Sequence, residues 1–482
     1  MFKLFRPVLF VCGLIALAMA LLMVFPALIG LVKGDSETYA FAISAAVTGS
    51  LGLLLVATCR GGDFSLRPRQ LYLLTCCSWG LLSVAGALPL TFGHAHLNFT
   101  NAVFEAVSGI TTTGSTVLSD IEDLPHSLLL WRALLQWIGG LGVIGMAVSI
   151  LPFLRVGGMR LFQTESSDWS DKSLPRLGHL ARLLFISYTV ISLACVLSYW
   201  AWGMNLFDAV THAMATVSTG GYATDDRSMG RFDNGMLWIS VVFMLLGGLP
   251  FVLYIRFFAS PSLKILRDDQ VIGFLMIVAG LTLILTLDLI ADGVYAPFDA
   301  LTQAAFNITS VITTTGFASA DYTQWGSFSV ALFFFVTFIG GCSGSTSGGM
   351  KIFRFQLSYL FLAKQIRQLV HPRGLFSIRY NGKEVSDDII SSAVAFSFLF
   401  FVTLVVITLL LSLTGLDMLT SLTGAATALT NVGPGLGEII GPAGNFASLT
   451  DSAKWILCFA MLLGRLELLS LIVIFTPVFW RG

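Results

Sequence analysis

The chain is 482 residues long, 56% hydrophobic and only 11% charged, with a mean hydropathy of +0.84; an ordinary soluble domain carries about 25% charged residues. This composition excludes a soluble globular protein and places the chain in a membrane, while a net charge of zero leaves no basic face for nucleic acid. The cysteines form no C-x-x-C pair and the histidines, His94 and His96 among them, are scattered, so neither reads as a metal site.

In chain order, Leu4 to Val32 and Tyr39 to Cys59 are apolar runs near or above the roughly 20 residues that span hydrocarbon. They are joined by residues 33–38 alone, which predicts an antiparallel pair. The first run exceeds the 7–15 residues of a signal-peptide core and is expected to be retained.

A repeating unit follows. Leu71 to Phe92 predicts a spanning helix, Asn101 to Ile110 is too short to span and ends at Thr111-Thr112-Thr113-Gly114, and Ser127 to Leu154 spans again. The second unit runs Leu180 to Trp202, Phe207 to Val217, Ser218-Thr219-Gly220-Gly221 and Gly235 to Phe258. The third runs Val271 to Ile290, Phe298 to Ile312, Thr313-Thr314-Thr315-Gly316 and Phe328 onward. The fourth runs Ile389 to Leu413, Leu416 to Leu429, Thr430-Asn431-Val432-Gly433 and Ala453 to Trp480. Aligning Gly-Tyr-Ala at 221–223 with Gly-Phe-Ala at 316–318 makes Gly221 the counterpart of Gly316, with Gly220 as the alternative. Asp208, Asp299 and Asp417 near the starts of three short segments read as helix N-caps.

The predicted fold is therefore an all-α integral membrane protein. It has ten transmembrane helices plus four re-entrant short helices, in four parallel helix, loop, helix units around a central axis. The expected divisions are 1–66 for the extra pair, then 67–178, 179–268, 269–384 and 385–482 for the units. Gly-Gly pairs at 139–140, 247–248 and 340–341, with Gly464 in the fourth unit, follow the loop glycines in step and allow close helix approach or a break.

Charge fixes an expected orientation. Lys3, Arg6, Arg60, Arg67, Arg69, Arg155, Arg160, Lys172, Arg176, Arg256, Lys264, Arg267, Lys351, Arg354, Lys364, Arg367, Arg373, Arg379, Lys383 and Arg481 fall on one side. The positive-inside rule makes that side, with both termini, cytoplasmic. The other side carries acids, including Asp120, Glu122, Asp123, Asp225, Asp226 and Asp321, as an acidic mouth.

One T-T-T-G reads as a helix C-cap with glycine just past the end. Four in equivalent places read as loops converging on one axis, where backbone carbonyls can replace the water around a monovalent cation. Irregular backbone at membrane depth must be buried in protein or line a cavity. The third returning segment is interrupted by Gly340-Gly341-Cys342-Ser343-Gly344-Ser345-Thr346-Ser347-Gly348-Gly349, too rich in glycine and serine for a straight helix. Its depth predicts a flexible gate beneath the loops, with the buried charge of Arg465 bonding its carbonyls.

The four units with one glycine loop each, the Gly/Ser insertion after the third, the two extra N-terminal helices, T-N-V-G-P-G-L-G at 430–437 and G-R-L-E at 464–467 together resemble the Trk/Ktr/HKT potassium transporters, in their bacterial TrkH/TrkG/TrkI branch. The resemblance implies potassium uptake across the bacterial inner membrane, with Rb+ and Na+ as further candidate ions, and a homodimer with one pathway per subunit. It also implies regulation by a cytosolic TrkA-type nucleotide-binding ring. No G-x-G-x-x-G dinucleotide fingerprint following a strand is visible in this chain, so a nucleotide is expected only on that partner, and no covalently bound cofactor is expected. The connection from Lys351 to Asp388 is its expected landing site. Asn431 and Val432 depart from the Thr-Thr of the first loop. The alternative readings are a proton- or sodium-coupled potassium symporter and a less selective K+/Na+ permease. No paired nucleophile and base supports an enzyme.

Overall fold

The computed structural model describes residues 2–61, 67–93, 97–149, 174–259 and 267–481. His94, His96, Arg155, Arg160, Lys172, Lys264 and the end of the first returning segment after Ser149 lie outside the described residues. Seven described helices are long and apolar enough to cross a membrane, and two bent pairs raise the number to nine if each pair is one span. The chain is a multi-pass membrane protein.

The first two helices, Phe2–Lys33 and Thr38–Cys59, pack antiparallel. They cross where Gly13 and Gly52 each leave the space the other's backbone carbonyl occupies, since small residues let helix backbones approach. The long helices that open the units are Pro68–Phe92, Leu174–Ala201, Asp269–Ala291 and Asp387–Ser412. Each is followed by a short helix: Phe99–Ile110, Leu206–Val217, Pro297–Ile312 and Met418–Thr430, of 12, 12, 16 and 13 residues. At 1.5 Å per residue none crosses a hydrocarbon layer of about 30 Å.

Local chemistry starts the short helices. Asn98, Asn205 and Asp417 accept the N–H groups of Asn101, Asp208 and Thr420, and Pro297 opens the third at its first position. Only Asp417 is thus the aspartate cap expected from sequence. Asp208 and Asp299 lie inside the first turn, where asparagine and proline have already begun the helix. Asp208 then bonds Arg231, and Asp299 accepts from Asn234.

The returning helices differ most from expectation. The first, His126–Ser149, runs unbroken through Gly139 and Gly140. The second is cut at Leu249-Pro250 into Asn234–Gly248 and Phe251–Ala259, with a 91° bend between the parts. Proline has no N–H and cannot continue the ladder. The third ends after ten residues, Ser327–Val336, and resumes only at Ile352–Val370. The fourth stops at Arg465 and turns by 107°, so the straight span to Trp480 is replaced by Asp451–Arg465 and a short irregular end. Its turn passes through Glu467 and Leu468, both at positive φ. One small departure from all-α is a two-residue antiparallel pairing of Arg379–Tyr380 with Lys383–Glu384.

The glycines of the returning helices explain how the units interlock. A Cβ on Gly139, Gly247 or Gly464 would overlap a carbonyl at the end of its own short helix, the last one at Ile110 and Val217 and the last but one at Leu429. Their partners Gly140 and Gly248 face Ser218 and Thr313 of the next unit. Gly464→Ala should therefore wedge the fourth returning helix from its short helix at an overpacking cost of about 1–3 kcal/mol. A lowered melting temperature of the purified protein in detergent, against an unchanged value for Gly280→Ala, which meets nothing within 4 Å, checks this.

Candidate functional site: a ring of four glycine loops

The four loops share one backbone conformation. Thr111, Ser218 and Thr313 end their short helices as C-caps, and Thr430 is the last residue of the fourth. The next residue is left-handed in every unit, with φ of 52° at Thr112, 52° at Thr219, 57° at Thr314 and 56° at Asn431. The third N–H reaches five residues back, from Thr113 to Ser108, Gly220 to Ala215, Thr315 to Ser310 and Val432 to Thr427. Positive φ returns at Gly114, Gly221, Gly316 and Gly433, and Gly220 is not among the positive-φ glycines. Gly221 is the conformational counterpart of Gly316. The loops do end helices in the Schellman manner, but the left-handed cap residue is a threonine or asparagine and the glycine comes two residues later. A β-branched residue at positive φ is strained, which no sequence feature announced.

The glycines then close a ring. A Cβ on Gly114 would overlap the Gly220 carbonyl, one on Gly221 the Thr315 carbonyl, one on Gly316 the Val432 carbonyl and one on Gly433 the Thr113 carbonyl. Each glycine thus lies against the third residue of the next loop, from unit 1 to 2, 2 to 3, 3 to 4 and 4 back to 1. A cavity of about 70 Å³ opens on one face and is lined by all four glycines together with Tyr222 and Asp225.

Side-chain contacts that sequence reading missed tie each loop to its own short helix. In unit 1 the buried Glu105 carboxylate accepts the Thr116 hydroxyl and the Val117 N–H, and pairs with the buried Arg132 at 2.9 Å. Arg132 also donates to the Ala223 carbonyl at 3.2 Å and covers the Tyr222 ring at 4.1 Å. In unit 2 Asp208 accepts the Thr224 hydroxyl at 2.8 Å and Arg231 at 2.7 Å. Asn307 holds Ser319 in unit 3, and Thr423 and Thr427 accept the Leu436 and Gly433 N–H groups in unit 4. The available signal was a polar residue buried in an otherwise apolar short helix, Glu105 in FTNAVFEAVSGI above all.

Two acids of the expected mouth are taken up by this geometry. Asp225 is buried and bonded by Arg231 and Arg227, and Asp226 accepts the N–H groups of Asp120 and Ile121. Burial alone would raise the Asp225 carboxyl, but the Arg227 N–H and the two guanidinium groups hold it below its ordinary value. These two acids are used in fixing loops, because a carboxylate leaving water needs donors, while Asp120, Glu122 and Asp123 stay exposed.

On the opposite face lies the 340–349 segment, buried rather than loose. Its N–H groups at Cys342 and Thr346 bond the Gly248 and Gly247 carbonyls, and its Gly344 carbonyl takes the Phe251 N–H. These are the groups freed by the break at Leu249-Pro250. Gly340, Gly344 and Gly349 adopt φ of 74°, 76° and 73°. Toward the ring, Thr219 bonds Thr346 at 3.2 Å, the Gly348 N–H bonds the Thr314 hydroxyl at 2.6 Å and the Gly349 N–H bonds the Thr430 carbonyl at 2.8 Å. Arg465, wholly interior, donates to the Thr346 carbonyl at 2.9 Å. Glu467 does not pair with Arg465 but with Arg354, at 2.5 Å. Lys351 and Arg354, expected among exposed cytoplasmic bases, are buried here: Lys351 donates to the Ser347 carbonyl, and Arg354 lies over the Phe396 ring. A cavity of about 20 Å³, room for roughly one water, separates Gly348 and Ser347 from Arg465 and Glu467.

Comparison with known proteins identifies this arrangement. The family model described as TrkH, cation transport protein, matches residues 37–481. The chain belongs to the TrkH family of cation transport proteins. It is 50% identical over 477 residues to the Trk system potassium uptake protein TrkI of Halomonas elongata, covering 98% of this chain and 97% of that protein. Against the Trk system potassium uptake protein TrkH of Escherichia coli it is 36% identical over 483 residues, 99% of each. The crystal structure of the potassium transporter TrkH from Vibrio parahaemolyticus superposes with a TM-score of 0.92 at 35% identity, covering 99% of this chain and 100% of that one. Family membership makes the chain a transporter and not an enzyme.

The buried ion pair gives a direct test. Glu105→Ala leaves Arg132 buried without its partner and should cost about 3–5 kcal/mol; Glu105→Gln, which keeps an acceptor for Thr116 and Val117, should cost less. Melting temperatures of the two purified variants should fall in that order.

Proposed function

We propose that the chain is the potassium-translocating subunit of a Trk-type uptake system, with the glycine ring as its selectivity filter. The carrying observation is the closed ring itself: four loops of one backbone conformation, each glycine seated on the next loop's carbonyl. The filter comprises Thr111 to Gly114, Ser218 to Gly221, Thr313 to Gly316 and Thr430 to Gly433. Ordered carbonyls replace the hydration shell of K+ or Rb+ and fit the more strongly hydrated Na+ and Li+ less well. The relatives, two potassium uptake proteins and a potassium transporter by name, support the same substrate.

In this reading ten helices cross the bacterial inner membrane, with both termini cytoplasmic, and the four short helices are re-entrant. Each pairs with its flanking helices within the divisions 67–178, 179–268, 269–384 and 385–482. The segment from Gly340 and Gly341 through Gly344 to Gly348 and Gly349 is the gate, resting against three filter loops and latched by Arg465. Opening requires trading its bonds to Gly247, Gly248, Thr314 and Thr430 for others, so it moves as a unit and not by fraying. The helix Ile352–Val370 that follows continues from the gate toward a cytosolic nucleotide-binding ring of the TrkA type. That partner, and assembly as a homodimer, are carried by the family resemblance.

Purified protein in liposomes tests the filter. Gly114→Ser and Gly316→Ser place a side chain at φ of 84° and 80° against the neighbouring carbonyl, and should relax K+/Na+ discrimination by about tenfold, ~1.4 kcal/mol; wild-type discrimination in both variants overturns the assignment. The gate is read separately. Arg465→Ala, or deletion of residues 344–347, should raise K+ flux and leave selectivity unchanged, whereas lost selectivity would make the segment part of the filter.

A further inference from the structure

The ring is not chemically fourfold. Its third position is Thr113, Thr315 and Val432 in units 1, 3 and 4, all β-branched, but Gly220 in unit 2. A β-branched residue restricts its own backbone, whereas two successive glycines, Gly220 and Gly221, leave a loop with far more accessible conformations. The second quarter of the ring has the least intrinsic stiffness, yet its carbonyl must lie against Gly114 as the other three lie against their glycines.

The compensation comes from another unit. Gln136, wholly buried on the first returning helix, donates its Nε2 to the Gly220 carbonyl at 2.5 Å and accepts the Tyr222 N–H on Oε1 at 3.1 Å. One carboxamide thus grips the loop on both sides of Gly221. It also fills the space a side chain would need, since a Cβ on Gly220 would fall within contact of three atoms of the Gln136 carboxamide. Three residues before the glycine that packs on the short helix, units 2 and 4 carry Met244 and Met461, which have no such amide. Among the described residues no hydrogen bond is found to the carbonyls of Thr113, Thr315 or Val432.

We propose that Gln136 is a positioning residue that determines ion specificity: its carboxamide takes the place of the missing Gly220 side chain and holds the Gly220 carbonyl in the ring. The inference rests on the filter reading above. A carbonyl has two lone pairs, so the one engaged by Gln136 fixes direction while the other remains for the ion. Without the clamp the Gly220 peptide can rotate away, leaving three rigid carbonyls and one loose one. Such a site loses the size discrimination that a rigid ring supplies, while still passing ions.

The test uses the full chain in liposomes, with uptake of Rb+ under competition by Na+. Gln136→Met keeps length and apolar bulk without either hydrogen bond, and Gln136→Glu, assayed at alkaline pH where the buried carboxyl is ionised and has no O–H to donate, keeps the shape and the acceptor for Tyr222 but loses the donor to Gly220. Both should increase Na+ permeation relative to Rb+ by about 3- to 10-fold, the equivalent of one lost hydrogen bond, and raise the half-saturating Rb+ concentration without lowering maximal flux. Gly220→Ala in the wild-type background should impair transport, and adding Gln136→Ala should restore part of it by vacating the contested volume. A purely structural role predicts reduced flux at unchanged selectivity in all of these, and that outcome overturns the proposal, as does wild-type discrimination in both Gln136 variants. If Gln136→Met does not accumulate in folded form, Gln136→Glu decides alone. Gly316→Ser in the same assay separates the two readings. Its loss of selectivity beside silent Gln136 variants removes the clamp and keeps the filter, while silence in all of them removes both.

Discussion

Closure of the glycine ring is the constraint on which the remainder of the structure depends. Each glycine at the fourth loop position has no room for a Cβ because the next loop's carbonyl occupies that space, and the contact runs through all four units back to the first. No loop can therefore be placed independently. The caps at Asn98, Asn205 and Asp417 set where the short helices begin, and the left-handed residue after each C-terminus sets where the chain turns. Glu105, Asp208, Asn307 and Thr423 hold the outgoing strand of each loop against its own helix. Strain at Thr112, Thr219 and Thr314, of order 1–3 kcal/mol apiece for such a conformation, persists because the neighbours on both sides over-determine it.

The second governing constraint is backbone hydrogen bonding at membrane depth, where each unsatisfied N–H or carbonyl costs several kcal/mol. Three returning helices break, and the breaks answer one another. The bend at Leu249-Pro250 frees the Gly247 and Gly248 carbonyls, and the 340–349 segment, itself the break in the third helix, supplies N–H groups to both. The fourth helix stops at Arg465, which reaches the Thr346 carbonyl of the same segment. A single break would be an unsatisfied defect; three adjoining ones form a bonded layer beneath the ring. The charges within it follow the same logic. Arg354 is neutralised by Glu467 and stacked on Phe396, and Lys351 is directed to a carbonyl, because an uncompensated interior charge is far more costly than a paired one.

Pseudo-symmetry and asymmetry divide the work. The backbone keeps four equivalent turns, and the side chains do not. Asn431 replaces the second-position threonine and tolerates positive φ better than a β-branched residue, while its amide reaches the Thr113 hydroxyl and the Met461 carbonyl. Thr219 and Thr314 point instead to the 340–349 segment. A single chain carrying four units can specialise each quarter in this way, with units 2, 3 and 4 in contact with the segment below and unit 1 lending Gln136 to unit 2.

Much of this was written locally and was legible as such. Apolar runs long enough to span, short runs that are not, and four glycine loops in step determine a membrane protein of four like units, because each of those signals depends only on hydrophobicity, length and turn chemistry. The Gly/Ser run at 340–349 likewise announces a broken helix. What the tertiary structure decided are matters of who meets whom across units. The sequence favoured Gly221 by alignment with Gly316 but left Gly220 as the alternative, since the deciding difference is which glycine faces Thr315 of the next unit. Nor could it reveal that the second and fourth returning helices break to match the third, that Glu105 meets Arg132 from 27 residues away, or that Asp225 is already neutralised. These pairings are long-range, and a hydrogen bond or a steric exclusion between distant segments leaves no period, cap or run in the chain from which it can be read.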